Sequence, residues 1–232
     1  MEREAIQKRI KDNYYARGEK GLYLGGYAPF GYEKVETRIK GKKTYTFKEN
    51  TEESAILRKM FQDYASGVSL GEIARTLTEN NIKSPRGNRW SSNSVSRMLK
   101  NPVYVKADAE VYNYILSKGA TMNNPVEDYI GECGCLTYGN VQERKGGKFV
   151  NFRNYYVTIG LHKGIIEPSL WLSVQYIFDK KANHGNLGTG SLTWLQGLVR
   201  CGCGYSYYVK KTKYKSNIYL YLFCRGRRNN SC

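Results

Sequence analysis

Apolar residues recur at three- and four-residue spacing through several stretches of this chain, and alternate with polar ones through others. Glu2–Arg17 is charged on most faces, with Ala5, Ile6, Ile10 and Tyr14 forming one narrow apolar stripe, and Gly18 and Gly21 end it. A helix with so thin a stripe is predicted to pack on something else. Glu52–Ser66 carries Ile56, Leu57, Met60, Phe61 and Tyr64 on one face and stops at Gly67. Ser69-x-x-Glu72 reads as a capping box opening a second helix, with Leu70, Ile73, Ala74 and Leu77 inward. Asn80-Asn81 and Pro85 begin a loop with Lys83, Arg86 and Arg89, after which Ser91 caps a short third helix, Ser92–Lys100. Trp90 and Val95 stand where a hydrophobic staple fixes the entry angle. Asp108–Ser117 and Leu170–Phe178 read as two further helices.

Strand-type alternation fills much of the remainder. Tyr32–Arg38 and Thr44–Lys48 read as a hairpin around Lys40-Gly41-Lys42, and Tyr155–Ile159 as a strand. Near the C-terminus, Tyr205–Val209 and Ile218–Phe223 read as a second hairpin, separated by Lys210–Ser216. Gly21–Gly31, with four Gly and a Pro, predicts an extended linker that is flexible at Gly25-Gly26. Glycines punctuate 120–150, where hairpin pieces are expected. The fold class is therefore α+β.

Three short helices over 51–100 match a helix-turn-helix arrangement. In its third helix Val95, Met98 and Leu99 face in, while Asn93, Ser96, Arg97 and Lys100 face out. The competing interpretation is a small bundle whose last helix is polar only because it is solvated. Charge separates the two: 37 Lys+Arg against 20 Asp+Glu give a formal net charge of +17. Such an excess favours a polyanionic partner, and duplex DNA is the one a helix-turn-helix reads. No apolar run approaches the ~18 residues of a membrane span, and no signal peptide opens the chain, so no membrane partner is expected.

Six Cys in such a chain point to a reducing cytoplasm and to metal rather than disulfides. Cys201-Gly-Cys203 precedes the second hairpin, and Cys224 and Cys232 follow it. Four thiols at the ends of a short hairpin are the ligand set of one structural Zn²⁺, which holds together a ribbon too small to bury a core. Lys210, Lys211, Arg225, Arg227 and Arg228 surround that site and suit DNA phosphates. Cys133-Gly-Cys135 repeats the spacing. It reads either as part of a second metal site or, more simply, as ordinary thiols in a Gly-rich turn. His162 and His184 are far apart and pair with no evident nucleophile, which favours structural or exposed roles.

Taken in order, Glu2-Arg-Glu-Ala-Ile-Gln-Lys-Arg9, Gly25-Gly-Tyr-Ala-Pro-Phe-Gly-Tyr32, Trp90-Ser-Ser-Asn-Ser-Val95, Asn101-Pro-Val-Tyr104, His162-Lys-Gly-Ile-Ile-Glu-Pro168 and the cysteine ribbon resemble a known pattern. They are similar to the DNA-binding half of a large serine recombinase, of the phage-integrase and transposon-resolvase type. The resemblance implies four parts. Residues 1–20 are the end of a long helix leaving a catalytic domain, and 21–31 are a linker along the minor groove whose Tyr27 contacts DNA. Residues 32–158 are the recombinase domain containing the helix-turn-helix, and 159–232 are a truncated zinc-ribbon domain.

It further implies that Arg3 lies near the cleaved strand and that the partner is a recombination half-site. The parent would assemble as dimers and tetramers on DNA, encoded by a bacterium or phage and acting in the cytoplasm during integration or excision of a mobile element. A Ser in a catalytic domain outside this sequence would attack the DNA phosphodiester. No catalytic residue is therefore expected here, and the chain reads as an excised fragment. Two features depart from the family: its first metal pair is usually spaced by two residues rather than one, and a coiled-coil arm is expected about where this chain ends.

Three other functions compete with this one. A free-standing transcriptional regulator with the same modules is the nearest. A protein-binding zinc scaffold predicts salt-insensitive binding, which fits poorly with +17. RNA binding through the 21 Tyr ranks lower, because most of them alternate in strands and are expected to pack.

Overall fold

A computed structural model of the protein describes residues 2–39, 41–85, 87, 89–139, 152, 155–183, 198–229 and 232. These divide into two compact units, Met1–Tyr176 and Ile177–Cys232.

Helix α1, Glu2–Glu19, touches the rest of its unit through its C-terminal end. Gly18 is its buried residue, and a Cβ there would lie 2.6 Å from the Tyr138 ring. Tyr14 and Tyr15 pack edge-on against Tyr138 at 6.3 and 5.9 Å. The stripe residues Ile6 and Ile10 stay exposed. After the helix, the Arg17 guanidinium donates to the Tyr23 carbonyl (2.7 and 3.1 Å) and ties the start of the linker back to α1.

Strands β1 (Tyr32–Ile39) and β2 (Lys42–Glu49) form an antiparallel hairpin. Helices α2 (Thr51–Ala65), α3 (Leu70–Glu79) and α4 (Ser92–Leu99) follow, within two residues of their predicted bounds. Leu57, Met60, Phe61 and Tyr64 of α2 are buried, as are Ile73, Ala74 and Leu77 of α3 and Val95, Met98 and Leu99 of α4. Asn50 caps α2 by accepting from the Glu52 and Glu53 backbone N–H groups. Ser69 caps α3 by accepting from Glu72 N–H at 3.1 Å. The reciprocal capping box stands instead at α4, where Ser91 and Ser94 each accept the other's backbone N–H.

Helix α5 (Ala109–Ser117) is capped by Asp108. A three-stranded sheet then runs β3-β5-β4, with β5 (Tyr155–Lys163) parallel to β3 (Thr121–Met122) and antiparallel to β4 (Cys133–Gly139). Cys133 and Cys135 lie on β4, not in a turn, with a register shift between them. Burial holds both thiols above their usual range. Helix α6 spans Pro168–Asn183.

His162 of β5 is structural. It is 2% exposed, its Nε2 lies 2.9 Å from the Val103 carbonyl, and its ring meets Tyr32 and Phe47 edge-on at 5.3 and 5.4 Å. Tyr32 donates from its hydroxyl to the Lys163 carbonyl at 2.9 Å and to Val103 at 3.1 Å, locking β1 to the same place. Burial pushes the imidazole down from 6.5 to about 4, only partly opposed by the Val103 hydrogen bond. Between those values the unfolded chain binds the proton and the folded one does not, so stability falls as pH drops through that window. Acidification from pH 7 to 4 is expected to cost about 3 kcal/mol through this residue. Urea unfolding of the wild type and His162→Gln across that range checks it. The variant's stability is expected to change less by about that amount, and identical pH profiles would refute the assignment.

Candidate nucleic-acid interface and metal centre

The outer face of α4 is the first part of the site. Asn93, Ser96, Arg97 and Lys100 fall at i, i+3, i+4 and i+7, which puts them on one stripe of the helix. Val95, Met98 and Leu99 are buried on the opposite side, so the stripe cannot rotate inward. Asn93 and Arg97 are exposed, while Ser96 and Lys100 are half-buried.

Two anchors set the helix's position. At its start, Trp90 is buried. Its ring lies edge-on to Phe30 at 5.4 Å, and its indole N–H donates to the Ile82 carbonyl at 2.8 Å. At its end, the buried Gln175 amide of α6 donates to the Leu99 carbonyl at 2.7 Å, satisfying one of the open acceptors of the last turn. The sequence reading missed Gln175. Its signal was a polar residue within the apolar stripe of Trp171, Val174 and Phe178.

Other candidate residues are dispersed around this helix. Arg89 is exposed just before it, and Arg3 is exposed in the first turn of α1. Tyr27 is fully exposed beside Gly25 and Gly26, whose φ angles of +100° and +97° only glycine adopts easily. Arg86, His184 and the side chain of Arg228 lie outside the described residues. A separate groove lined by Glu19, Lys20, Asn124, Glu127, Asp128 and Leu161 carries three acids against one lysine, a balance that disfavours polyphosphate.

The second part of the site is the ribbon. Strands β6 (Tyr207–Tyr214) and β7 (Asn217–Cys224) pair antiparallel through a two-residue turn, Lys215-Ser216, with Lys215 at φ 52°. Lys210, Lys211 and Lys213, expected between the strands, therefore belong to β6. Tyr207 and Tyr208 are half-buried, but the other ribbon tyrosines do not pack as the alternation suggested. Tyr205, Tyr214, Tyr219 and Tyr221 are all exposed, because among the described residues no second layer covers either face of this two-stranded hairpin.

Cys201, Cys203, Cys224 and Cys232 converge at the base of this hairpin, their sulfurs all within 4.8 Å of one another. Cys201 and Cys232 are 3.6 Å apart and Cys203 and Cys224 are 3.3 Å apart, too far for disulfides. A tetrahedral zinc–thiolate site needs sulfurs about 3.8 Å apart, so the four can hold a metal ion. The Gly204 N–H donates to the Cys201 carbonyl, folding the one-residue spacing into a tight turn, and the Gly226 N–H donates to the Cys224 sulfur. Cys203 backbone N–H, then the Tyr207 hydroxyl, draw the Cys201 thiol down to about 6, while hydrogen bonds to Cys201, then Cys203 and Cys224, raise Cys232 to about 12. No residue from 180 to 232 is acidic and ten are Lys or Arg, an asymmetry legible in the sequence that whole-chain totals conceal.

The Recombinase family model matches residues 51–181, a stretch that contains α2, α3, α4 and the Gln175 anchor. This chain belongs to the Recombinase family. Two solved structures resemble the recombinase chain. One is described as an LSR–DNA complex: 21% identity, TM-score 0.53, covering 96% of this chain and 55% of that one. Another comes from work on the sequence requirements of the Listeria innocua prophage attP site, with 18% identity and a TM-score of 0.50, covering 96% and 75%. At those identities the likeness is one of fold. This chain spans little more than half the length of the first. No curated protein matches it significantly. Among the described residues, no helix is long and apolar enough to cross a membrane.

Proposed function

We propose that this chain is the duplex-DNA-binding part of a serine site-specific recombinase, recognising one half-site during integration or excision of a mobile element. The observation that carries the reading is the polar stripe of α4, held rigidly outward by Val95, Met98, Leu99 and the Gln175 amide. Membership of the Recombinase family supports it, and one fold neighbour is described as a DNA complex.

In this reading α4 enters the major groove, where Arg97 suits guanine and Asn93 suits adenine. Arg3 and Tyr27 meet the strand nearer the crossover, while Arg86, Arg89 and Lys100 touch phosphate. Lys210, Lys211, Arg225, Arg227 and Arg228 neutralise phosphates at a further segment. One zinc ion at the four cysteines would supply the cross-link that the ribbon's core is too small to provide. Strand cleavage belongs to a serine-bearing domain of the parent, which would act in dimers and tetramers. The functional parts follow the divisions at residues 20, 31 and 158.

The test is binding of Arg97→Ala and Lys100→Ala to a cognate half-site and a scrambled duplex at fixed salt. Arg97→Ala is expected to lose about 1–3 kcal/mol on the cognate site alone, and Lys100→Ala to weaken both duplexes alike. Equal losses on both duplexes for Arg97→Ala would show that α4 positions the protein without reading sequence.

A further inference from the structure

The register of the ribbon hairpin sorts its side chains by chemistry. Tyr208, Tyr214, Tyr219, Tyr221 and Phe223 share one face with Lys210, whereas the other carries Val209, Ile218, Leu220 and Leu222 with two lysines. On the aromatic face Tyr214, Tyr219 and Tyr221 are 65%, 42% and 48% exposed. Tyr221 meets Phe223 edge-on at 6.3 Å, whereas Tyr219 and Tyr221 lie within 25° of parallel with centroids 6.4 Å apart. That spacing is close to twice the rise of about 3.4 Å per stacked base. Two cations complete the face: the Lys210 ammonium lies 5.6 Å from the Phe223 centroid, and that of Lys215 lies 5.7 Å from Tyr214.

Exposed rings in a row, with cations beside them and no acid for fifty residues around, match a polyanion that presents flat apolar faces. A duplex does not, since its bases show only their edges in the grooves and hide their π-faces in the stack. An unpaired strand presents both its phosphates and its base faces. We propose that the aromatic face of β6–β7 is a stacking site for single-stranded DNA, distinct from the duplex-reading stripe of α4. The choice of DNA rests on the function proposed above. The chemistry of the face does not.

Zinc-loaded protein comprising all 232 residues is titrated, at one salt concentration, with labelled oligo(dT), an abasic strand of equal length, oligo(rU) and the half-site duplex. Oligo(dT) is expected to bind at least about tenfold tighter than the abasic strand, because stacking on two or more rings adds to phosphate attraction. Y219A/Y221A is expected to erase that advantage while leaving duplex affinity and zinc content unchanged. Y219F/Y221F, which keeps the rings, is expected to retain it. Equal affinity for oligo(dT) and the abasic strand overturns the proposal, as does an advantage that survives in Y219A/Y221A. Tighter binding of oligo(rU) than oligo(dT) overturns the assignment to DNA. A chain that binds oligo(dT) through these rings but not the half-site would refute the duplex reading and leave the stacking site standing.

Discussion

Cys224→Ser is expected to abolish binding of about one zinc ion per chain and to unfold the ribbon, leaving the helices of the first unit folded. The hairpin contains little else to hold it. Cys224 is buried, but Ile218, Leu220 and Leu222 of the same strand remain exposed, so apolar burial contributes little. Structural zinc supplies on the order of 10 kcal/mol to small domains of this kind, more than such a hairpin can replace. A serine in place of Cys224 also removes the sulfur that accepts the Gly226 N–H and sits 3.3 Å from Cys203. The measurement is zinc content together with limited proteolysis, in the presence and absence of chelator. Cleavage within 201–232 is expected to accelerate in the variant and in chelated wild type alike. A ribbon that stays protease-resistant without metal would refute the structural role of zinc.

Gly134→Ala carries the largest expected effect in the first unit. The added Cβ would lie 2.3 Å from the Val103 carbonyl oxygen and 2.4 Å from His162 Nε2. These two atoms are hydrogen-bonded to each other at 2.9 Å, so the methyl group would wedge into a bond already formed. Neither side can retreat. Val103 is backbone in the turn Pro102–Tyr104, whose next residue is fully buried, and the His162 ring is confined by Tyr32 and Phe47. The φ of Gly134 is not positive, so the cost is steric and not conformational. Overpacking combined with a lost buried hydrogen bond is expected to destabilise the unit by about 3–5 kcal/mol. Urea unfolding followed at the buried tryptophans checks this. A loss below about 1 kcal/mol would mean that the sheet yields where the packing says it cannot.

Sequence patterns determined the elements that depend on local rules. The helices of 51–100 were legible because capping side chains, Gly stops and three- and four-residue apolar spacing all act within a few residues. The outward stripe of Asn93, Ser96, Arg97 and Lys100 followed from the same periodicity. Cysteine spacing around a Tyr-rich hairpin was enough to bring the four thiols together, and family membership agrees with the motif order along the chain.

Only the tertiary structure decided what distant segments do to one another. Residues 102–104, 134 and 162 meet at a single hydrogen bond whose partners are 59 positions apart, and nothing local marks Gly134 or His162 for it. Gln175 finds the Leu99 carbonyl across 76 positions. The ribbon shows the converse limit. Alternation of Tyr with polar residues predicts strands, and strands form, but alternation cannot say whether a second layer exists to bury their faces. For β6–β7 the described residues supply none, so side chains expected to pack stand in solvent as an aromatic surface.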